Sequence, residues 1–301
     1  MIYREHCPIT GERSEVIFTR SYKLPELLAI IDDEEVALAT ADKDYEIRYC
    51  AASDLYFQSW VFDDTEVAHY YSKGSDTSTI FRSIATQKVH WFAHMAEEIL
   101  VMRQVCNATP PAVLDFGTNW GKWASMALAH GCDVYGVEVN NAARSFCASR
   151  GIKMVEADQL GEARMFDFIN IDQVVEHLSD PRAVIARLKR NLKPEGIIKI
   201  SVPKNNRLPL LLREAQASGD NSALMAETLK PLAPLGHVNL FTNRGLRILG
   251  AQLGLEPMRP PIMTWLGAGQ MWNMPRQLNR NLLVPFKRYL LRGNYLWFRP
   301  T

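Results

Sequence analysis

The chain has little excess charge of either sign and no long apolar run. Its 34 Lys and Arg residues nearly balance its 33 Asp and Glu residues, which leaves a formal net charge of +1. A protein that holds nucleic acid by its phosphates carries a basic excess, so we expect no nucleic-acid partner. No uninterrupted apolar stretch approaches the ~20 residues of a membrane span, and the first residues lack the apolar core of a signal peptide. We therefore expect a cytoplasmic protein without a membrane span.

Cysteine is scarce as well. The five cysteines are Cys7, Cys50, Cys106, Cys132 and Cys147. An odd number at scattered positions is not the pattern of a secreted disulfide framework. We expect mostly buried thiols in a reducing compartment, where a disulfide between the first two is not favoured. A chain of 301 residues that is 47% hydrophobic can nevertheless bury a full core, with room for one large domain and a small one.

The most informative stretch is an apolar strand that ends in an acid and enters a glycine turn. Residues 112–123 read Ala-Val-Leu-Asp-Phe-Gly-Thr-Asn-Trp-Gly-Lys-Trp. Asp115 stands at the carboxyl end of this strand, where ligands of open α/β sheets bind. Gly117 and Gly121 allow a sharp turn and a close approach to a ligand, and Asn119 between them tolerates left-handed backbone angles. The stretch predicts a ligand-binding turn between a strand and a helix.

A second acid follows at the end of the next apolar strand. Residues 134–139 read Val-Tyr-Gly-Val-Glu-Val, which places Glu138 21 residues after Gly117. A carboxylate in that position can accept both hydroxyls of a ribose, and Val139 follows it in the same loop. The two strands together predict a site that binds a nucleoside and a cationic group.

Two further strands bring polar residues toward the same edge. The predicted third strand ends in Asp158 and Gln159. The fourth, residues 166–171, is a continuous apolar run of the kind expected when both faces of a sheet are buried. It is followed by Asp172 and Gln173. The carboxyl ends of parallel strands meet at one edge, so we expect these side chains near the ligand as well.

These motifs resemble class I S-adenosylmethionine-dependent methyltransferases of the bacterial small-molecule type. The resemblance extends over residues 110–260 and includes Asp-Gln-Val-Val-Glu-His-Leu-Ser-Asp-Pro at 172–181, Leu-Lys-Pro-Glu-Gly at 192–196 and Ile-Ser-Val-Pro at 200–203. It implies an α/β Rossmann-like fold, with a seven-stranded, mostly parallel sheet and helices on both faces, and S-adenosylmethionine as cofactor. In such a protein the cofactor contacts fall on Asp115, Gly117, Asn119, Gly121, Glu138, Val139, Asp158, Gln159, Asp172 and Gln173.

The first 75 residues resemble the zinc-ribbon preface of the same family. Cys7-Pro-Ile-Thr10-Gly and Cys50-Ala-Ala-Ser53 match its two halves, but hydroxyls replace the second cysteine of each. Structural zinc requires four thiolate or imidazole ligands, so we expect a metal-free, β-rich subdomain held by apolar packing. The predicted organisation is this subdomain at 1–75 and a methyltransferase domain at 76–301, which includes a preceding helix at 76–107, a lid insert at 204–236 and a helical excursion at 262–292.

The predicted excursion carries basic residues among bulky apolar ones: Arg276, Arg280, Lys287, Arg288 and Arg292. Such a segment can contact a membrane surface or an anionic acceptor, or it can be a solvated face. The sequence leaves both interpretations open.

Methyl transfer from a sulfonium is an in-line displacement, so a base is needed only when the acceptor must lose a proton. Glu176 and His177 lie three and four residues after Gln173, which are helix spacings that share a face. Ubiquinone-type O-methyltransferases have Glu at the first of these positions and hold a divalent cation there, whereas Gln173 removes an acid from that set. His237 is the second candidate base, and in related sugar C-methyltransferases an acid stands where Gly236 does.

We predict that His237, His177 and Glu176 are catalytic, without a metal, and a purely structural role is the alternative for each. The expected reaction is methylation of O or C of a small polar acceptor, such as a sugar or glycan. A fold does not establish activity, so an inactive S-adenosylmethionine-binding scaffold or regulator is the second hypothesis. A nicotinamide oxidoreductase is the third, disfavoured because Asn119 and Lys122 replace two glycines of the G-x-G-x-x-G fingerprint. The oligomeric state stays open.

Overall fold

The computed structural model describes residues 1–23, 34–72, 82, 86–87, 89–161, 163–205, 207–224, 226–268, 286, 289–290 and 295–300. The predicted excursion falls largely outside these residues, and so do its five basic residues and part of the predicted helix at 76–107. None of the helices in the described ranges has both the length and the apolar character needed to cross a membrane.

The strands, numbered in chain order, are β1 Ile2–Tyr3, β2 Glu15–Ser21, β3 Asp44–Cys50, β4 Leu55–Gln58, β5 Trp60–Val61, β6 Ala112–Phe116, β7 Asp133–Val137, β8 Lys153–Met154, β9 Phe166–Asp172, β10 Leu192–Ser201, β11 Asn239–Phe241, β12 Leu255–Met258 and β13 Tyr295–Pro300. The helices are α1 Glu34–Thr40, α2 Asp64–Ser72, α3 Val89–Val105, α4 Lys122–Ala129, α5 Asn141–Ser149, α6 Pro181–Arg190, α7 Arg207–Ser218, α8 Ala226–Leu229, α9 Asn243–Gln252 and α10 Ile262–Ala268.

The chain forms two compact units, and each is assembled from separated stretches. The first unit contains Met1–Val67, Gln173–Val184 and Ser201–Leu253, and the second contains Ala68–Asp172, Ile185–Ile200 and Gly254–Thr301. The domain division predicted from the sequence is linear, at residue 75, and it stays a prediction.

The first unit is built on a four-stranded antiparallel sheet with the order β11-β4-β3-β2, beside the antiparallel pair β1 and β5. Tyr45 and Ile47 of β3 are fully buried and pack with Leu208 and Leu212 of α7. Apolar side chains alternate along β3, so one face of the sheet buries against the helix. Strand β11 comes from the C-terminal half of the chain, so residues 239–241 complete the sheet that the N-terminal residues begin.

The second unit is built on a seven-stranded sheet with the order β12-β13-β10-β9-β6-β7-β8. The pairs β6–β7, β6–β9 and β7–β8 are parallel, and β12–β13 is antiparallel. The middle strands are continuous apolar runs, and Val113, Leu114 and Phe168 are 0% exposed because both faces of the sheet are covered. Trp123 of α4 stacks on Phe168 with ring centroids 6.1 Å apart. The predicted Rossmann-like, mostly parallel fold is confirmed.

Two strands have boundaries that differ from their predictions. The third strand of the sequence prediction, residues 153–157, stops at Met154, and Ala157–Gln159 forms a 3-10 turn. A capping box between Glu156 and Gln159 closes this turn and diverts the backbone from the sheet. The fifth strand of the domain, which the sequence predicts over residues 197–202, is β10, and it begins earlier, at Leu192. The predicted insert contains α7 and α8, and its role as a lid stays a prediction.

Candidate cofactor-binding and catalytic residues

The turn after β6 has left-handed backbone angles at three positions. Gly117 has φ 79°, Asn119 φ 49° and Gly121 φ 68°. The backbone N–H groups of Gly117 and Thr118 donate to the carbonyl of Val137 at 3.0 and 2.9 Å, which fastens the turn to the end of β7. Asn119 therefore adopts the conformation expected from the sequence, where asparagine is one of the few residues that fit in place of glycine.

Gly121 is constrained by crowding as well as by its backbone angle. A Cβ at this position would lie 2.9 Å from Cys147 Sγ and 3.1 Å from Ile152 Cδ1. Burial raises the pKa of Cys147 to about 12, with smaller contributions from nearby carboxylates, so the side chain stays a thiol. Its Sγ donates to the carbonyl of Asn119 at 3.3 Å. Helix α5 thus packs against the turn through Cys147 and fixes its shape.

Glu138 connects this turn to the loop after β7. Its Oε2 accepts from the backbone N–H of Asn119 at 2.7 Å, and its Oε1 accepts from the backbone N–H of Asn140 at 2.8 Å. An ionised carboxylate has about four acceptor positions, so two remain for the hydroxyls of a ribose. Glu138 is half-buried, and the neighbouring Val139 is 47% exposed. The role of both residues in binding a cofactor stays a prediction.

Asn140 belongs to the same loop, although the sequence analysis did not identify it. Its Oδ1 accepts from the N–H of Ala143 at 2.9 Å and caps α5. Its Nδ2 donates to the carbonyls of Ser72 at 2.7 Å and Tyr71 at 3.4 Å. The cap could have been predicted, because asparagine before a helix is a common start signal. The bond to the end of α2 could not, since it joins residues far apart in the chain.

Asp115 is buried at the carboxyl end of β6. It is 4% exposed, and its Oδ1 accepts from Asn170 Nδ2 at 2.7 Å. Burial raises the pKa of Asp115 to about 7, and the charge of Asp172 contributes, while the bond from Asn170 opposes the shift. The carboxyl group therefore titrates near neutral pH. A cation such as an ammonium group would stabilise its ionised form.

A buried ion pair lies close to Asp115. Lys199 of β10 and Glu98 of α3 are 4% and 5% exposed, and Lys199 Nζ lies 2.5 Å from Glu98 Oε1. Burial lowers the pKa of Lys199, but the carboxylates of Glu98, Asp172 and Asp115 outweigh it and raise the pKa above its ordinary value. Lys199 is thus positively charged and interacts with the carboxylates at the carboxyl ends of β6 and β9.

The other predicted cofactor residues of the second unit lie at the ends of neighbouring strands. Asp158 and Gln159 are exposed on the 3-10 turn after β8, whose parallel partner β7 ends at Glu138. Asp172 is half-buried at the end of β9. The structure therefore brings the acids of four strands to one edge of one sheet, as the sequence analysis predicts for a ligand site.

Gln173 lies in the first unit, directly after Asp172. It is exposed, has a positive φ of 57°, and donates from Nε2 to Ser201 Oγ at 3.1 Å. The left-handed residue ends the strand, and the chain continues through Glu176 and His177 as a turn. The helix spacing used in the sequence analysis is wrong here, because the backbone reverses at Gln173.

The three predicted catalytic residues come together in the first unit. Glu176, His177 and His237 each place one ligand atom within 4.8 Å of the others. The two imidazole rings meet edge to face with centroids 4.7 Å apart, and His177 Nε2 lies 3.9 Å from Glu176 Oε1. Two imidazoles and a carboxylate are also a set of metal ligands, so the predicted absence of a metal stays a prediction.

Both imidazoles are held in the neutral form. The pKa of His177 is lowered to about 4, mainly by burial and in smaller part by His237, while the bond to the carbonyl of Gly236 opposes the shift. That bond spans 2.7 Å from Nδ1, so Nδ1 carries the proton and Nε2 bears the lone pair. Burial also lowers the pKa of His237, and a bond to the backbone of Pro231 opposes this.

His237 has one ring nitrogen that accepts no hydrogen bond from the described residues. Its Nδ1 is buried and has no hydrogen-bond partner among them. Proline has no backbone N–H, so the ring donates to the carbonyl of Pro231 through Nε2. The lone pair of Nδ1 is therefore available to accept a proton.

Two polar residues that the sequence analysis missed position this cluster. Arg4 is buried and donates to the carbonyls of Gln58, Val238 and Ser179 at 2.9 to 3.0 Å, and to Asn239 Oδ1 at 3.1 Å. Burial lowers the pKa of Arg4 to about 9.

Asn239 continues the network toward the catalytic candidates. Its Nδ2 donates to the carbonyls of Leu178 at 2.7 Å and Val175 at 3.1 Å, and its N–H donates to the carbonyl of Glu176 at 3.0 Å. Arg4 and Asn239 thus tie the turn with Glu176 and His177 to the strand that follows His237. No local sequence signal marks these contacts, because they join three distant segments.

The second unit has the architecture of an open α/β protein, a class in which ligands bind beyond the carboxyl ends of the strands. A family model, the methyltransferase domain, matches residues 89–259. The chain therefore belongs to the methyltransferase-domain family. This membership confirms the prediction of an S-adenosylmethionine-dependent methyltransferase. No curated protein sequence matches the chain.

Several solved structures are similar to parts of the chain. The plantazolicin methyltransferase BpumL, in complex with a pentazolic desmethylPZN analog and SAH, is 15% identical, with 79% of this chain and 96% of that chain covered and a TM-score of 0.49. A methyltransferase from Thermotoga maritima is 16% identical, with 62% and 81% covered and a TM-score of 0.40. The sugar N-methyltransferase KedS8 from Streptoalloteichus sp ATCC 53650 is 18% identical, with 44% and 56% covered and a TM-score of 0.37.

Proposed function

We propose that this methyltransferase acts on O or C of a small polar acceptor, such as a sugar or glycan, and removes a proton from it. S-adenosylmethionine, when bound, supplies an electrophilic methyl group on a sulfonium. The observation that supports an acceptor with a removable proton is the partly buried cluster of Glu176, His177 and His237, in which two neutral imidazoles lie beside a carboxylate. A neutral imidazole is the form that can accept a proton.

The cofactor contacts are proposed for the ten residues predicted from the sequence. Glu138 accepts the ribose hydroxyls on the positions that the N–H groups of Asn119 and Asn140 leave open. Asp115 faces the methionine ammonium, which stabilises the ionised carboxylate. The turn with Gly117, Asn119 and Gly121 approaches the cofactor through its backbone. Val139, Asp158, Gln159, Asp172 and Gln173 complete the proposed set.

His237 is the proposed general base. Its Nδ1 lone pair accepts the acceptor proton, while the bond from the ring to Pro231 fixes the tautomer. The carboxylate of Glu176 lies close enough to offset the positive charge that then develops on the ring. His177 is oriented by Gly236 and packs against the His237 ring, which holds the base in place.

An inactive S-adenosylmethionine-binding scaffold is the second candidate function. The backbone bonds of His177 to Gly236 and of Asn239 to Glu176 give these residues a structural task that needs no chemistry. In that case the cluster stabilises the turn, and the protein binds the cofactor without turnover.

Formation of S-adenosylhomocysteine tests these alternatives. The full chain is incubated with S-adenosylmethionine and a panel of sugars, nucleotide-linked sugars, phenols and amines, and the product is quantified. We expect turnover with a hydroxyl or carbon acid acceptor, with a loss of at least about 100-fold in His237→Gln. The exposed His6→Gln in the same unit is the matched control. Unchanged turnover in His237→Gln would remove the proposed base, and bound cofactor without turnover on any acceptor would favour the scaffold.

Metal dependence is measured in the same assay. We expect full activity after treatment with a chelator, because the proposed base acts through its lone pair alone. Activity that is lost with the chelator and restored by a divalent cation would show that the cluster is a metal site.

A further inference from the structure

The two halves of the degenerate zinc-ribbon motif come together in the first unit. Cys7 Sγ lies 3.1 Å from Ser53 Oγ, and Cys50 Sγ lies 3.8 Å from Thr10 Oγ1. The Cys7 side chain is also one of the groups that lower the pKa of the Cys50 thiol. Each thiol therefore contacts a hydroxyl from the other half of the motif, so both thiols belong to one cluster with hydroxyls in the places where a zinc site would need thiolates. Hydroxyls are not ligands of structural zinc sites, so the cluster calls for another explanation.

Both cysteines are placed by tight turns. The N–H of Cys7 donates to the carbonyl of Glu12 at 2.8 Å, and the N–H of Gly11 donates to the carbonyl of Cys7 at 2.9 Å. The N–H of Ile9 points at Cys7 Sγ at 3.4 Å. Cys50 ends β3 and begins the turn into β4. The hydrogen bonds of these turns thus fix the backbone at both cysteines.

The pair differs in reactivity from the other cysteines. Burial raises the pKa of Cys50, but hydrogen bonds from Ser53, Thr10 and Cys7 outweigh it and lower the pKa below that of an ordinary thiol. Burial instead raises the pKa values of Cys106 and Cys147 to about 12, and it also raises that of Cys132. Thiolates are the reactive form, so oxidants should act at Cys50 before the cysteines of the second unit.

The cluster is close to the surface, although the sulfur atoms themselves are covered. Cys7 and Cys50 are 2% and 1% exposed. The turn residues Gly11 and Ala51, which lie beside them, are exposed. A small oxidant therefore has only the side chains of two short turns to pass.

We propose that Cys7 and Cys50 form a redox-active dithiol, which a peroxide converts to an intramolecular disulfide and a small thiol reductant reopens. The Cys50 thiolate attacks one oxygen of hydrogen peroxide, breaks the O–O bond and becomes a sulfenic acid, and the departing hydroxide takes a proton to form water. The Cys7 sulfur then attacks the sulfenic sulfur, forms the S–S bond and releases a second water. The two thiols lose two electrons in total, and the peroxide gains them.

Oxidation of the purified full chain with one equivalent of hydrogen peroxide tests the proposal. The free-thiol count of the denatured protein should fall from five to three, since 5 − 2 = 3, with a mass decrease of two hydrogens. Peptide mapping should show Cys7 joined to Cys50, and dithiothreitol should restore both thiols. Cys7→Ser and Cys50→Ser should each abolish the crosslink, whereas Cys132→Ser should keep it.

Three results would overturn the proposal. The first is a stable sulfenic or sulfinic acid on Cys50 without a crosslink, and the second is pairing through any of the other three cysteines. The third is one bound zinc in the purified protein that both serine variants lack. Thermal unfolding of the reduced variants is measured in parallel, and the alanine variant of the same residue, Cys7→Ala or Cys50→Ala, replaces a serine variant that fails to fold.

Discussion

His177 and His237 meet edge to face with ring centroids 4.7 Å apart, and each ring donates one N–H to a backbone carbonyl. The other ring nitrogen of each histidine, Nε2 of His177 and Nδ1 of His237, carries a lone pair. Burial makes protonation of either ring costly, so both imidazoles are neutral in the folded protein near pH 7. A neutral, oriented imidazole pair beside Glu176 is the basis of the proposed proton transfer.

Acid should destabilise the fold through His177. Its pKa is about 4 in the folded chain, and an unfolded histidine titrates near 6.5. Between these values the unfolded state binds more protons, so this contribution to the free energy of unfolding is complete above about pH 6.5 and is lost as the pH falls to about 4, by up to about 3 kcal/mol. Urea unfolding from pH 8 to 4 should show a shallower acid loss in His177→Gln than in the wild-type chain. Parallel curves for the two proteins would contradict the assignment.

Cofactor affinity should depend on the ionisation of Asp115. Its pKa of about 7 is raised by burial, so half of the carboxyl groups are protonated at that pH and cannot attract an ammonium. We expect the affinity for S-adenosylmethionine to increase as the pH rises from 6 to 8, because the ionised fraction increases. Calorimetric titration across this range checks it, with Asp115→Asn expected to be weaker and independent of pH. The exposed Glu195→Gln should reproduce the wild-type dependence, and a flat wild-type profile would remove Asp115 from the ammonium site.

Comparison of Gly121 with Gly11 distinguishes two ways in which replacing a glycine can destabilise the fold, which are backbone strain and crowding around the new Cβ. Both have positive φ, 68° and 73°, but a Cβ at Gly121 would lie 2.9 Å from Cys147 Sγ, whereas a Cβ at Gly11 meets nothing within 4 Å. Gly11→Ala should destabilise the chain by about 1 kcal/mol through backbone strain alone. Gly121→Ala should cost more and should also weaken cofactor binding, because it displaces the turn. Equal losses of unfolding free energy in the two variants would show that crowding at Gly121 is relieved by adjustment of Cys147.

The local part of this site could be predicted from the sequence, and the long-range part could not. Asp115, Gly117, Asn119, Gly121 and Glu138 follow from the order of strand, turn and helix, which is written within 30 residues. The network of Arg4 and Asn239 depends on three segments that meet only in the fold, so no spacing rule reveals it. The same limit explains the error at Gln173. The residue spacing predicts a helix there, but Gln173 has a left-handed backbone conformation, and a turn follows the strand instead.

The buried pair of Lys199 and Glu98 should be intolerant of losing one partner. Glu98→Gln leaves the Lys199 ammonium buried without its nearest carboxylate, 2.5 Å away, and should lower the free energy of unfolding by about 3 to 5 kcal/mol. The surface ion pair of Lys153 and Asp133, with Nζ 2.7 Å from Oδ1, is the comparison, and Asp133→Asn should lower the free energy of unfolding far less. Chemical denaturation of the two variants measures both values. Similar costs would mean that Lys199 loses its charge or finds another partner.

The most direct test of the account is calorimetric titration of the full chain with S-adenosylmethionine and S-adenosylhomocysteine. We predict micromolar binding of both, loss of binding in Glu138→Ala, and unchanged binding in Glu195→Gln. The Glu138 carboxylate also holds the N–H groups of Asn119 and Asn140, so circular dichroism must show that the variant is folded. A folded wild-type chain that binds neither compound would contradict the proposed cofactor site, and binding that survives in Glu138→Ala would contradict the role of Glu138 in it.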